Sequence, residues 1–527
     1  MKIRTLYIGI VSCAMFAATA CNDWLEVTSE TQVEASDLLN SEDGFKDAIM
    51  GVYINMGSED AYGKNYTWFA NDLAAFPYKQ QGLAEYDLWQ QHQYSTLSGY
   101  AVFKKMWARS YNVIANANEI LNYLEKNKAN LDDLVYNLMK GEMLGVRAYV
   151  HFDLLRMFGL ADWQANADKY TVPYVTEFTK EQTPQRTYQA TAKLLFDDIR
   201  EALACLQKDP AHGELEEEAL AAINRDGFWD GRDKRMNYFA VEALAARACL
   251  WEGSDEKLEE ALRYAQDVID HGFTAWVDLD AFSSAVSDYK DWTFSTEHLF
   301  SLEVMGLTDL IQGYLFVTNV GYNGIKLNSD LVLETLFKPF VERIIQEEGW
   351  WYDENDPTGG PDGDGWFWLE EIKETTVLPS ANDVRYTMLL PIDGGVAYNC
   401  PKLYQSDNYS FAYRNRIPMI KLSEMYYIIA EYYIQKGLDA EALAMMDIVR
   451  EHRGITEKYD AATTDAREEL TLEYMREFMS EGQLFYYWKR TGIECPVAGF
   501  EVAPKDLIYL YPQEEVSEGG RHQDLFD

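Results

Sequence analysis

"AARACLWEGSDEKLEEALRYAQDVI" (residues 245–269) and "IAEYYIQKGLDAEALAMMDIVR" (residues 429–450) are two versions of one pattern. In each, an alanine (Ala246, Ala430) stands seven residues before a glycine (Gly253, Gly437). A short turn then leads into Glu-Ala-Leu (Glu260 to Leu262, Glu441 to Leu443), which opens a second amphipathic run. Alanine lets two helices approach closely. Helix, glycine turn, helix with small residues at the crossing is the tetratricopeptide pattern. Each such pair buries its apolar face only by stacking on a neighbour. The expected fold is therefore mainly α, a tetratricopeptide-like helical-repeat scaffold.

Outward from these repeats, most of the chain reads as helix. Ser41 caps a run with acids in its first turn. Apolar residues recur at three-and-four spacing from Val102 to Leu124, and again from Leu131 to Phe158, where Gly159 stops the run. A further helix is expected from about Gln189 to Leu206. Residues 272–420 differ: Gly, Pro, Asn and Asp break them into an irregular, loop-rich part. Within them "HLFSLEVM" (298–305) suits a short strand and "SDLVLETLFKPFVERIIQEEG" (329–349) suits a helix. The expected organisation is a signal at 1–20, a tether at 21–40, a helical region at 41–271, the loop-rich region at 272–420 and a second helical region at 421–527.

The loop-rich part contains "GWWYDENDPTGGPDGDGWFWLEE" (349–371), with four tryptophans, a phenylalanine and a tyrosine among acids, prolines and glycines. It is too polar and too broken for a core strand or helix, and more aromatic than a loop normally shows to water. Long ordered loops on a scaffold are where binding usually lives. Sugars have apolar C–H faces and polar edges, so flat rings beside acids and amides suit them. Trp350, Trp351, Tyr352, Trp366 and Trp368 are candidates for such a platform, with Asp353, Asn355 and Asp364 accepting from hydroxyls. If the chain is extended there, Trp366 and Trp368 share a face, opposite Phe367. Other readings are that some rings pin the loop to the scaffold, or that the patch is a protein contact. "DENDPTGGPDGD" lacks the spacing of a calcium loop, so a solvated acidic loop is preferred to a metal site.

The chain begins with a short basic start, "MKIR", then the apolar "TLYIGIVSCAMFAATA", then Cys21. This is the shape of a secretory signal, and Ala18, Thr19 and Ala20 before a cysteine give it that of a lipoprotein box. Cys21 is the expected lipidation site, and several acyl chains there would hold the protein at a membrane. The formal net charge is −41. Losing Lys2 and Arg4 with the signal takes it to −43. Such a surface repels nucleic acid and favours neutral or cationic ligands and protein partners. Cys205, Cys249, Cys400 and Cys495 are far apart, form no CxxC pair and make no disulfide framework for so long a chain. A bridge stays possible at this level.

No catalytic motif is present: no HExxH helix, Walker loop or GxSxG elbow. "GPDGDG" is not a dinucleotide fingerprint and follows no expected strand. No cofactor is implied. His151 lies in a helical pattern and is most simply a packed side chain.

The order of these features resembles the SusD/RagB family of outer-membrane nutrient-binding lipoproteins across nearly the whole mature chain. "CNDWLEVTSETQ" resembles the family's tether and "EDGFKDAIMGVY" its first helix. "MWARSYNVIANANEIL" and "GEMLGVRAYVHFDLLRMFG" are similar to its two most characteristic helices. "RMNYFAVEALAARACLWEG", "RIPMIKLSEMYYIIAEYY", "REFMSEGQLFYYWKR" and "LIYLYPQEEV" are similar to later blocks. Gln483 stands where an arginine is common, and "HQDLFD" replaces the usual ending. The resemblance implies a non-catalytic, lipid-anchored, surface-exposed protein of the outer membrane. It would capture a glycan, or in the RagB branch a peptide, and deliver it to a SusC-like TonB-dependent transporter. It also implies that the early stretch at 62–94 borders the ligand face, which makes Trp68 and Asn71 candidates. The alternatives are a glycan-active enzyme on a helical scaffold and a scaffold that only holds other proteins.

Overall fold

The computed structural model describes residues 36–79, 84–94, 96–285, 290–312, 325–338, 340–352, 355, 366–377, 382–392, 395–404 and 413–524, with residues 340–352 and 366–377 described by their backbone alone. The longer helices are α1 (Glu42–Met56), α2 (Leu97–Asn127), α3 (Asp133–Phe158), α4 (Tyr188–Cys205), α5 (Tyr238–Glu252), α6 (Asp255–His271), α7 (Leu422–Gln435), α8 (Asp439–Glu451), α9 (Ala466–Glu477) and α10 (Gln483–Thr491). Caps set their starts. Ser41 Oγ accepts from Gly44 N–H at 3.2 Å. Thr96, Asp132, Thr187, Asn237 and Ser254 cap the next helices in the same way, each satisfying an otherwise orphaned donor.

The repeat is a helical ladder. α5 and α6 form one hairpin and α7 and α8 another, and α6 packs against α7. Gly253 and Gly437 take left-handed φ values of 78° and 72° at the two turns. Ala246, Ala261, Ala430 and Ala442 are fully buried at the helix crossings. The ladder extends backwards through α4, α3 and α2 to α1, and forwards to α9. α3 is its central rod, buried from Leu138 to Phe158 save at Lys140. Two glycines four residues apart let neighbours close on it. A Cβ at Gly141 would lie 2.7 Å from Leu206 Cγ, and one at Gly145 would lie 2.6 Å from Met236 Cγ.

Buried ion clusters tie the connecting segments to the ladder. Glu142 on α3 receives Arg232 and Arg235, and Arg232 also grips Asp209. Arg453, after α8, bridges Glu297 and Glu477, and Lys421 joins Glu477 to Glu481. Such clusters fix geometry more surely than they add stability, because desolvation offsets most of the attraction.

The strands are β1 (His298–Glu303), β2 (Leu327–Asn328), β3 (Phe340–Tyr352), β4 (Trp366–Val377), β5 (Leu390–Ile392), β6 (Ala397–Asn399) and β7 (Arg416–Lys421). β1 pairs with β7, β6 lies between β2 and β5, and β3 pairs with β4, all antiparallel. The short strand expected at 298–305 is β1. Two expectations are corrected. The helix expected over 329–349 is one π turn at Leu331–Leu336 followed by β3. Pro339 carries no N–H to continue a helix, and Val341, Ile344 and Ile345 favour strand. The aromatic stretch, expected to be too broken for a core strand or helix, closes β3 and opens β4 at its two ends.

Candidate functional site

A cleft of about 730 Å³ opens between three segments of the loop-rich side. The first wall follows the short helix at Ala70–Ala75. There Pro77–Lys79 runs extended, and Lys79 N–H donates to Lys326 O at 2.8 Å in a single antiparallel bridge. Gln90, Gln91 and His92 complete this wall. His92 has φ 51°, and its Nε2 lies 2.8 Å from Ala74 O, so the turn is locked to the helix end. The second wall is Asn328 of β2 with Asp330, Leu331, Glu334 and Thr335 of the π turn. The third is the loop Val497–Glu501, which offers the half-buried Phe500 ring.

The first wall is held from behind. Gln90 Nε2 donates to Tyr78 O at 3.0 Å. The Tyr78 hydroxyl donates to Asp72. Asp72 also accepts from Gly482 N–H at 3.2 Å. Burial pushes the Asp72 carboxyl up to about 7, against the pull of those two donors, and pushes the Tyr78 phenol well above its ordinary value. Gly482 has φ 72°, and a Cβ there would lie 2.5 Å from Thr67 O. The turn that reaches Asp72 therefore admits only glycine.

Gln90 Oε1 is buried and accepts no hydrogen bond among the described residues. It is an amide acceptor in a cleft whose lining also presents Gln91, Asn328 and Thr335. Three carboxylates, Asp330, Glu334 and Glu501, share the lining with one lysine, Lys79. Amide and carboxylate oxygens beside an aromatic face suit a ligand rich in hydroxyl hydrogens, and the acid excess disfavours an anionic one.

The structure corrects the two candidates in the early stretch. Trp68 is fully buried, and its Nε1 donates to Gly63 O at 2.8 Å. Asn71 is fully buried too. Its Nδ2 donates to Tyr486 OH at 3.1 Å and its Oδ1 accepts from Tyr509 OH at 2.7 Å. Both are core residues: Trp68 closes the local turn onto Gly63, and Asn71 pins the helix Ala70–Ala75 to α10 and the C-terminal segment. The same stretch reaches the cleft instead through Tyr78, Lys79, Gln90, Gln91 and His92. The run "QQH" after an amphipathic turn was the available signal.

The aromatic stretch flanks a hairpin. Trp350 pairs with Trp368, Trp351 with Phe367, and Tyr352 with Trp366. The backbone there is extended, which is the condition set above for Trp366 and Trp368. β3 starts four residues after the π turn that walls the cleft. Asp364, with Asp353, Asp356 and Asp362, lies outside the described residues, as do Cys21 and the tether up to residue 35. His151 is a core residue: its Nδ1 lies 2.9 Å from Arg147 O, its Nε2 accepts from Val175 N–H at 2.9 Å, and burial lowers its pKa to about 3. Cys205, Cys249, Cys400 and Cys495 are all free thiols. Among the described residues, no helix is long and apolar enough to cross a membrane.

Two family models match the chain. One, described as "Starch-binding associating with outer membrane", matches residues 23–216, and the other, described as "SusD family", matches residues 342–496. Together they span well over half of it. The chain belongs to the SusD/RagB family. Solved structures of this family share its fold. A SusD superfamily protein of Bacteroides thetaiotaomicron VPI-5482 superposes with a TM-score of 0.64 at 19% identity, over 90% of this chain and 97% of that one. A SusD homologue from the same organism gives 0.61 at 16% identity, over 93% and 97%. Surface glycan-binding protein A of Bacteroides thetaiotaomicron, solved in complex with laminarihexaose, gives 0.55 at 14% identity, over 90% and 97%. No curated protein sequence matches the chain. Within the SusD fold, Gln483 opens α10 beside Arg156, Arg247 and Arg490. A fourth guanidinium at that spot would add like charge to a crowded cluster.

Proposed function

We propose that this SusD-family chain is a non-catalytic, lipid-anchored outer-membrane protein that captures a neutral oligosaccharide and passes it to a SusC-like TonB-dependent transporter. The observation that carries this reading is the cleft, whose lining holds a buried Gln90 acceptor, unpartnered among the described residues, beside further amides, an aromatic edge and an excess of acids. Capture uses hydroxyl donors on the sugar and protein acceptors on the wall, with Phe500 covering an apolar sugar face. The aromatic pairs on β3 and β4 are proposed as a second stacking platform, with Trp350, Trp351, Tyr352, Trp366, Trp368 and Asp364 as its contacts. Handover follows as the transporter closes on the loaded protein, while acyl chains on Cys21 keep it at the surface. The fold likeness to a protein solved with laminarihexaose supports a glycan ligand over a peptide.

The test is calorimetric titration of the protein from residue 22 onward with neutral glycans, acidic glycans and peptide mixtures. Two variants go alongside, Gln91→Ala/Asn328→Ala in the cleft and Trp350→Ala/Trp351→Ala on the hairpin. Saturable binding of a neutral glycan, weakened at least about ten-fold by the cleft variant, is the expected result. Binding of peptides alone would favour the RagB-like alternative, and turnover of a glycan would favour an enzyme.

A further inference from the structure

A second, much smaller cavity of about 30 Å³ lies within the helical ladder, between α3, α5, α7 and α10. It has room for one small ion or water rather than a nutrient. Three guanidinium groups line it, those of Arg156, Arg247 and Arg490. Each already has a carboxylate partner. Arg247 holds Glu424 through Nε and Nη2 at 2.6 and 2.5 Å, Arg490 holds Glu431 at 2.6 and 2.8 Å, and Arg156 holds Asp153. Lys489 sits behind Arg156, outside the lining, and burial holds its pKa well below the ordinary lysine value. Its Nζ donates to Arg156 O at 2.6 Å and Met157 O at 3.2 Å, and it has no carboxylate partner among the described residues.

Two lining groups keep an unused donor. Arg156 Nε–H and Trp251 Nε1–H are buried and have no acceptor among the described residues, in residues only 2% and 4% exposed. No lining residue has an unpartnered buried acceptor to match them. Arg156 cannot turn away to find one, because its guanidinium is clamped 3.7 Å from the Tyr486 ring and 4.3 Å from the Phe152 ring. Leaving two buried donors unsatisfied is costly. A water would meet both, but would add two hydrogens of its own beside a lining carboxylate, Glu424, whose oxygens already accept from Arg247. A small anion accepts from both.

We propose that this cavity is a binding site for a small monovalent anion, chloride in the extracellular medium, coordinated by Arg156 Nε–H and Trp251 Nε1–H. The ion would cross-link the first half of the ladder, through α3 and α5, to the second, through α7 and α10. It is a structural site, separate from the nutrient cleft.

Crystals soaked in sodium bromide test this by anomalous scattering at the bromine edge. The expected result is a bromide peak in the cavity within contact of both nitrogens; a cavity without such a peak overturns the proposal. In solution, Tm is compared in sodium chloride and sodium gluconate at equal ionic strength, for the wild type and for Trp251→Phe, which keeps an aromatic ring and loses the donor. The wild type is expected to melt higher in chloride, and the variant to lose that difference. Equal Tm values in the two salts, or a chloride effect unchanged in the variant, would overturn it as well.

Discussion

Asp72 shows how one side chain links core and cleft. It is fully buried, it holds Tyr78 of the cleft wall, and its carboxyl titrates near 7 rather than near 4. A raised carboxyl contributes most to stability below its unfolded pKa and loses that contribution as pH rises to its folded one. Replacing it by asparagine keeps an acceptor for Gly482 N–H and removes the titration. The stability of Asp72→Asn relative to wild type is therefore expected to rise between about pH 4 and pH 7, by up to about 4 kcal/mol, and to level off above. Denaturant melts of both proteins across that range check it, and a pH-independent difference would contradict it. Other raised acids, such as Glu242 at about 8, are common to both proteins and cancel. Trp68 and Asn71 mark what sequence could not give at this scale. A tryptophan and an asparagine beside a loop look like ligand contacts. Their partners, Gly63, Tyr486 and Tyr509, decide otherwise, and two of those lie more than 400 residues away.

At the level of elements, glycine turns were readable and strand pairing was not. Gly253 and Gly437 sit in left-handed turns where a Cβ would meet no clash, only ordinary contacts at 3.8 and 3.9 Å at Gly253 and open space at Gly437, so their role is local and written in local sequence. Alanine at either site should cost about 1 kcal/mol. Gly482→Ala should cost clearly more, about 3 kcal/mol, because the left-handed φ is joined by a clash with the Tyr66 and Thr67 carbonyls. Chemical denaturation of the three single variants ranks them. The β3–β4 hairpin escaped the sequence reading because each half acquires its pattern only from the other. Its register sets Glu347 opposite Glu371 and Glu348 opposite Glu370, so like charges occupy adjacent opposed positions. Glu370→Lys is expected to strengthen the pairing by about 0.5 kcal/mol, seen as slower amide exchange across 340–352. Faster exchange would show that the register does not hold in solution.

Across the whole molecule, the repeat, the buried α3 rod and the order of helical blocks made the SusD architecture visible in the sequence. The ligand cleft was only half visible. One wall comes from the early stretch, but the others come from the π turn and from Val497–Glu501, brought together only by the folded ladder and its ion clusters. The net charge of −41 acts at this scale too. Acidic glycans should bind more weakly than neutral ones of equal length, and added salt should narrow the gap.

Calorimetric titration with a neutral oligosaccharide series, using wild type and Gln91→Ala/Asn328→Ala, tests the central claim most directly. Saturable one-site binding in the wild type, with affinity reduced at least about ten-fold in the variant, is predicted. Saturable binding that the variant leaves unchanged, or no neutral glycan bound at all, would contradict it.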